Sequence, residues 1–219
     1  ATEFTLLYPI VIRRQQFGKF SVTYDTDQNS PLSDLSTNII KHKVVRIGGK
    51  DYLTFDFELI QCVITTRTDM ISRAADTIIR IPLEGNYHHC RVFNNVGAGT
   101  SRRRTELSTT HSALVYNARQ PTAVIKVEEN VVTISIPTIY ISSGMLSGEI
   151  QADVYTTKGA LDMPLGGYAM NEFVFQYRST FKEEIDRFVA PLELMNTVAV
   201  YSAGTTSGGS AAMTFDELF

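Results

Sequence analysis

Few residues in this chain have the side chains and spacing for chemistry, and histidine and cysteine come first. His88, His89 and Cys90 are consecutive, and Cys62 is the second cysteine. These are zinc-binding residue types, but adjacent residues on a strand point to opposite faces of a sheet, which disfavours a shared metal ion. We therefore predict ordinary packing or loop positions for them, and no metal or cofactor. Two cysteines fit a reducing compartment, although one disulfide remains open.

Patterns for nucleophilic or acid–base catalysis are equally sparse. A serine in a nucleophile elbow needs Gly-x-Ser-x-Gly, and the glycines and serines at 144–148 and 204–208 have the wrong spacing. No nucleotide-binding glycine pattern is visible. Asp56 and Glu58 would share one face of a strand, as paired carboxylates must, but solvated outward residues of an amphipathic strand explain them better. We therefore expect no enzyme activity and no small-molecule substrate.

The basic cluster of note is the triplet Arg102, Arg103 and Arg104. Three guanidinium groups in a loop could hold phosphates of a nucleic acid, pair with carboxylates of a neighbouring chain, or simply be solvated. The net charge is −3, so contact with nucleic acid must be local. Ala1–Tyr8 has no lysine or arginine, so we expect no basic N-terminal arm. The triplet remains an interaction candidate with RNA and protein both open.

The elements that position these residues are predicted to be strands. In Glu149–Tyr155, Ile150, Ala152 and Val154 point to one face, and polar side chains and Tyr155 point to the other. A two-residue period predicts an antiparallel sheet with one buried face and one wet face. Three further segments between Thr122 and Phe181 share this character: Thr122–Glu128, Val131–Tyr140, and a last strand marked by Phe173, Phe175, Tyr177 and Phe181.

The earlier part of the chain adds strands, one helix and loops. A Gly48-Gly49 turn joins two of the strands, and Ser30-Pro31 is typical of a helix start. Sequential strands without alternating helices indicate an all-β fold, an antiparallel β-sandwich in the form of an eight-stranded jelly roll with long loops and one or two short helices. The predicted strands are Leu6–Ile12, Phe20–Tyr24, Lys43–Ile47, Tyr52–Ile64 with a bulge, Ile79–Leu83 and Tyr87–Phe93; the helix runs from Leu32 to about Lys41, and Asn94–Thr110 is a long polar loop.

The end of the sequence has a different composition. From Ala203 to Ala212 it consists of glycine, serine, threonine and alanine, which is typical of a flexible linker. The heptapeptide that follows carries Phe215, Leu218 and Phe219, and we expect it to dock on a neighbouring chain, with folding back on its own domain or a disordered terminus as the alternatives. The predicted domains are residues 1–202, the jelly roll, and residues 203–219, the tail. No apolar run approaches the ~20 residues of a membrane span, and no signal-peptide pattern opens the sequence.

Two of these segments carry a resemblance to a known family. Val131–Tyr140, which ends in Ile-Pro-Thr-Ile-Tyr, resembles the strand ending in Ile-Pro-Tyr that recurs in picornavirus-like capsid proteins. As in that family, an alternating strand follows a short loop. The segment from Phe173 to Pro191 resembles the family's last strand and its exit. The resemblance covers about a third of the chain.

The resemblance implies a structural viral capsid subunit. Such a protein assembles with related or identical subunits into an icosahedral shell that encloses the genome, and it is found in the virion after assembly in the host cell cytoplasm. The Asp-Asp-Phe motif linked to maturation cleavage in certain such subunits is absent, so no cleavage activity is implied. The alternative is a carbohydrate- or ligand-binding β-sandwich module, which the lack of tryptophan and the single Asp25–Asn29 cluster make weaker.

Overall fold

The computed structural model describes residues 3–15, 17, 19–26, 38–98, 103–114, 117–161, 169–170, 200–201 and 206. The chain divides into two compact units, Ala1–Lys158 and Gly159–Phe219. Several predictions lie outside the described residues: most of the helix at 32–41, the last strand at Phe173–Phe181, the boundary at 202/203, and the tail with Phe215, Leu218 and Phe219.

Strands make up most of the described structure, and the all-β class is confirmed, with a jelly-roll-like sandwich architecture. In the first unit they are β1 (Ile10–Arg14), β2 (Phe20–Tyr24), β3 (His42–Ile47), β4 (Lys50–Phe55), β5 (Val63–Met70), β6 (Thr77–Pro82), β7 (Asn86–Val96), β8 (Arg103–Thr110), β9 (Thr122–Glu128), β10 (Val131–Ile136) and β11 (Glu149–Thr157), with one described helix, α1 (Thr138–Ser142). In the second unit, β12 (Ala169–Met170) pairs with β13 (Val200–Tyr201).

One seven-stranded sheet contains the core, in the order β5-β11-β7-β8-β9-β10-β6. All its pairings are antiparallel except that of β8 with β9, which is parallel. The terminal strands β5 and β6 come close to each other, since the Arg67 Nη1 donates to the backbone oxygen of Arg80 at 3.3 Å. The sheet is therefore curved until it is nearly closed, so that its two halves form the layers of the sandwich.

The alternation read from the sequence places the core correctly. Ile150, Ala152 and Val154 of β11 are completely buried. They meet side chains of the opposite half of the sheet, including Ile79, Ile81, Val132, Ile134 and Ile136. Strand β10 pairs with β6 along one edge and with β9 along the other, so neighbouring strands flank its apolar face on both edges. The removal of these apolar surfaces from water is the main favourable term in the folding of this unit.

Two predicted strands have the wrong bounds. Val131–Tyr140 stops as a strand at Ile136, because Pro137 has no N–H for the ladder, and Thr138–Ser142 then forms α1. The side chain of Asp76 accepts a hydrogen bond from the Thr138 N–H at 2.8 Å, which satisfies a free donor at the helix start. Tyr52–Ile64 is not one strand with a bulge. Its two ends belong to β4 and β5, which lie in different sheets, and Ile60 between them makes an isolated bridge with Thr5.

The predicted loop at Asn94–Thr110 is also wrong. Residues 94–96 continue β7, and residues 103–110 form β8, a strand between β7 and β9. Of the apolar residues, β8 contains only Leu107, so its sequence has no hydrophobic alternation. Strand β1 likewise begins only after Pro9, later than expected. The hairpin turn at Gly48-Gly49 is confirmed, and both glycines have positive φ, +57° and +82°.

Candidate functional site

The outer face of β11 is the unexpected feature of the sandwich. We predicted that Asp153 and Tyr155 face water, but they are only 8% and 3% exposed. The chain around Leu7 and Tyr8, which we call the N-terminal segment, lies over this face. The backbone oxygen of Leu7 is 3.5 Å from the Tyr155 hydroxyl, and Tyr8 is buried. The sheet is thus covered on both sides here, so its outward residues have to be paired rather than solvated.

An ion pair between β7 and β8 lies at the centre of this face. The Arg91 Nε and Nη2 each donate to a carboxylate oxygen of Glu106 at 2.8 Å, and both side chains are 7% exposed. The third guanidinium nitrogen, Nη1, donates to the Leu7 oxygen at 2.9 Å. The guanidinium carbon also lies 4.5 Å from the centre of the Tyr8 ring. Arg91 therefore ties the N-terminal segment to two strands.

The electrostatics of Arg91 keep it charged. Burial alone would lower the pKa of Arg91, but the paired hydrogen bonds and the negative charge of Glu106 outweigh it, so that the pKa lies above its ordinary value. Next to it, burial raises the pKa of the Tyr155 hydroxyl, which remains protonated. The centre of the face is therefore a fixed cation and anion surrounded by aromatic rings.

A second ion pair continues the face toward the sheet edge. The Arg104 Nη2 donates to Asp153 Oδ2 at 3.1 Å, and the Thr66 hydroxyl and the Gln151 amide donate to Asp153 Oδ1 at 2.8 and 2.9 Å. The Arg104 guanidinium carbon lies 3.6 Å from the centre of the Phe93 ring. Its side chain is 47% exposed, in contrast to Arg91. We call these residues, Arg91, Phe93, Arg104, Glu106, Gln151, Asp153 and Tyr155 with Thr66, the polar ladder.

Two residues of the predicted arginine triplet lie within the described structure. Arg104 belongs to the polar ladder, Arg103 lies exposed on β8, and Arg102 lies outside the described residues. Asp56 and Glu58 are exposed between β4 and β5 rather than on a strand, so the expectation of a shared strand face is wrong.

The candidates His88, His89 and Cys90 lie on β7, and Cys62 directly precedes β5. Cys90 is buried in the core, where burial and the charge of Asp153 raise its pKa to about 12, and it is a free thiol, as is Cys62. His89 points to the other face, with its ring centre 6.0 Å from that of Tyr155. Among the described residues, no three of His, Cys, Asp and Glu lie close enough together to hold a metal ion.

Sequence reasoning missed the polar ladder because its members come from four strands. Arg91 and Glu106 are fifteen positions apart, and their contact depends on the register in which Val92 pairs with Leu107. The available signal was a charged residue, Arg91, between two apolar ones, Cys90 and Val92. A lone charge inside an apolar run predicts a buried partner, but not which one.

Comparisons with protein-family models, with curated proteins and with solved structures each found no match to this chain. Among the described helices, none is both long and apolar enough to cross a membrane. The polar ladder itself is suited to holding strands and the N-terminal segment in a fixed relation. Its chemistry is charge pairing, and it offers the half-exposed Arg104 as a cation at its outer end.

Proposed function

We propose that this chain is a structural subunit of a viral capsid, of the picorna-like type, which assembles with identical or related copies into an icosahedral shell around the genome. The support is a jelly-roll-like sandwich together with the resemblance of its Val131–Tyr140 and Phe173–Pro191 segments. On this proposal the protein acts in the virion after assembly in the host cell cytoplasm. Its functional residues are those that contact other subunits.

One observation carries the proposal, which is the exposure of large apolar side chains at several separate places on the first unit. Met70 at the end of β5 and Ile78 on β6 are 68% and 53% exposed. Ile47, Val44 and Tyr52 are exposed on the β3–β4 hairpin. Apolar side chains that stay in water at several separate places are typical of proteins that bury these surfaces against partners.

The polar ladder supports the same reading. A shell subunit must keep its shape while several neighbours contact it. A covered sheet face with two ion pairs and the N-terminal segment fixed by Arg91 supplies rigidity on one side of the sandwich. The half-exposed Arg104 is the ladder residue available to a carboxylate of a neighbour or to a phosphate of the genome.

Sedimentation velocity and electron microscopy of the purified chain test the proposal, alone and after co-expression with the proteins encoded beside it. We expect species much larger than the 24.4 kDa chain, and closed particles in the micrographs. Each subunit should bury well over the ~1,600 Å² of a standard interface when all its neighbours are summed. A chain that stays monomeric at every salt concentration and pH, with and without these proteins, would contradict the proposal.

A further inference from the structure

The β3–β4 hairpin forms a separate two-stranded sheet within the described part of the first unit. Its strands pair with each other and with no other strand that the structure describes. None of its strand residues is buried. By contrast, the other two-stranded pair, β1–β2, contains the buried Val22. Since an isolated hairpin is marginal in water, this one has the surface for a partner that covers it.

One side of this hairpin combines positive charge with apolar surface. The pairing register places Lys43, Val45 and Ile47 on the same side as their partners Thr54, Tyr52 and Lys50, and we call these six residues the hairpin face. Ile47 is 60% exposed and Tyr52 39%. Within the described structure neither Lys43 nor Lys50 forms an ion pair, whereas Arg46 on the opposite side pairs with Asp51.

Charge is distributed unevenly between the hairpin and the rest of the chain. Residues 41–55 contain Lys41, Lys43, Arg46 and Lys50 against Asp51, a formal charge of +3. The whole chain has −3, which leaves −6 on the remainder. Residues 159–219 hold −5 of this charge, and the rest of residues 1–158 holds −1. The surface best suited to the hairpin by charge is thus an acidic one, and within the described structure such a surface has to be a local cluster of acidic side chains.

Acidic side chains gather at one end of the sandwich. Glu84 follows β6, and Glu128 and Glu129 lie at the β9–β10 turn; the two places are joined because the Leu83 N–H donates to the Asn130 oxygen at 2.8 Å. We call these three glutamates the acidic end. Glu128 pairs with Lys126, while Glu84 and Glu129 are exposed and make no ion pair within the described structure. Val127, 40% exposed, adds apolar surface beside them.

We propose that the hairpin face of one copy docks on the acidic end of a second copy of this chain. The two surfaces are different, so the contact is head to tail, and it repeats from copy to copy until a ring or shell closes. Lys43 and Lys50 meet Glu84 and Glu129, and Ile47 and Tyr52 are removed from water. This inference deepens the proposed function and rests on it, since it names one contact by which the subunits assemble.

A charge exchange tests the contact. One variant carries Lys43→Glu and Lys50→Glu, and the other carries Glu84→Lys and Glu129→Lys. Each variant alone places like charges opposite each other, so we expect its association to weaken at least about tenfold. A single chain that carries all four substitutions restores opposite charges at every contact, whatever the number of copies in a ring, and should assemble as the wild type does. As a matched control for the Lys→Glu variant, Arg73→Glu with Arg119→Glu makes the same change in net charge at exposed positions elsewhere and should leave assembly unchanged.

The outcomes separate this contact from the function. If either variant alone assembles like the wild type, or if the folded chain with all four substitutions does not recover, the contact is wrong while the shell proposal stands. If the wild type never assembles, both fail. Circular dichroism and sedimentation of the separate variants check their folding. Should a variant not fold, salt titration of the wild type decides instead, because assembly through this contact must weaken as salt rises, and assembly that is insensitive to salt would overturn it.

Discussion

Arg91 and Glu106 are each costly to the protein without the other. A buried ion pair contributes little net stability, but removal of one partner leaves an uncompensated charge in a covered site. Here the charge left behind would also face the Tyr8 and Phe93 rings, which cannot replace a carboxylate. The pair therefore fixes the alignment of β7 with β8 more than it adds to the folding free energy.

Glu106→Ala should consequently destabilise the first unit by roughly 3–5 kcal/mol, as found when one partner of a buried pair is removed. Urea unfolding followed by circular dichroism measures the loss. Glu128→Ala is the matched control, since it removes an equally direct ion pair with Lys126 that is exposed to water. We expect that control to stay close to wild type. Equal losses for the two variants would show that the Arg91–Glu106 pair is not buried in solution.

His89 gives the protein a predictable dependence on pH. Burial lowers the pKa of His89, and the nearby positive charges of His88, Arg91 and His111 lower it further. In the unfolded chain histidine titrates near 6.5. Below that pH the unfolded state binds a proton that the folded state does not yet accept, so the free energy of unfolding falls as pH decreases, until the lowered folded-state pKa is passed.

The expected result is a smaller free energy of unfolding at pH 5.5 than at pH 7.5, and a shallower decrease in the variant His89→Gln. Between pH 7.5 and 8.5 the histidine is neutral in both states, so the two proteins should there show parallel profiles. Chemical unfolding across this range measures both slopes. A variant with the same acid-side slope as the wild type would mean that His89 is not the group responsible.

At the scale of elements, the start of β11 depends on a glycine that has no room for a side chain. Gly148 has φ of +78°, and a Cβ there would lie 2.5 Å from the backbone oxygen of Asn95. Gly144 has nearly the same φ, +77°, but open space around it. The two positions separate backbone strain from a steric clash with β7.

Gly144→Ala should cost on the order of 1–3 kcal/mol, the strain of a side chain at positive φ. Gly148→Ala carries the same strain and must also move β7 or β11, so we expect a clearly larger loss in the same unfolding experiment. If both variants lose the same stability, the tight approach between Gly148 and Asn95 is relaxed in solution.

Ala152 tests which face of β11 is inside. Ala152→Asp puts a carboxylate among core residues and should cost several kcal/mol, enough to reduce the yield of folded protein. Thr133→Asp is the control, because its neighbours in register, Arg80 and Lys126, are cations on the outer side of β10. That variant should fold with near wild-type stability. Tolerance of aspartate at 152 would place the core on the other face.

How well a strand could be predicted from the sequence differs from element to element, for physical reasons. Strands β2, β9 and β11 could be predicted because alternating side chains reflect one buried face. Strand β8 could not be, because its residues are held mainly by backbone pairing and by side chains of distant strands. The same reason hid the polar ladder: Asp153 and Tyr155 look outward in sequence, but the N-terminal segment covers Tyr155, and Thr66, Gln151 and Arg104 donate to Asp153 from around it.

At the scale of the whole molecule, the proposal concerns what covers the remaining exposed surfaces. The first unit has an apolar core and an ion-paired outer sheet face, yet it leaves a basic hairpin and several large apolar side chains in water. In a shell these surfaces would be covered by neighbours, and the contribution of each contact would be repeated in every copy. The capsid proposal therefore depends on whether the chain assembles.

Cryo-electron microscopy of the particles formed by the wild-type chain, with the proteins encoded beside it where they are needed, is the most direct measurement. If the capsid proposal is right, we expect a closed icosahedral shell whose reconstructed density contains the seven-stranded sheet, in the order β5-β11-β7-β8-β9-β10-β6, in every copy of this chain. Amorphous aggregates, or monodisperse monomers under all conditions that keep the chain folded, would contradict it.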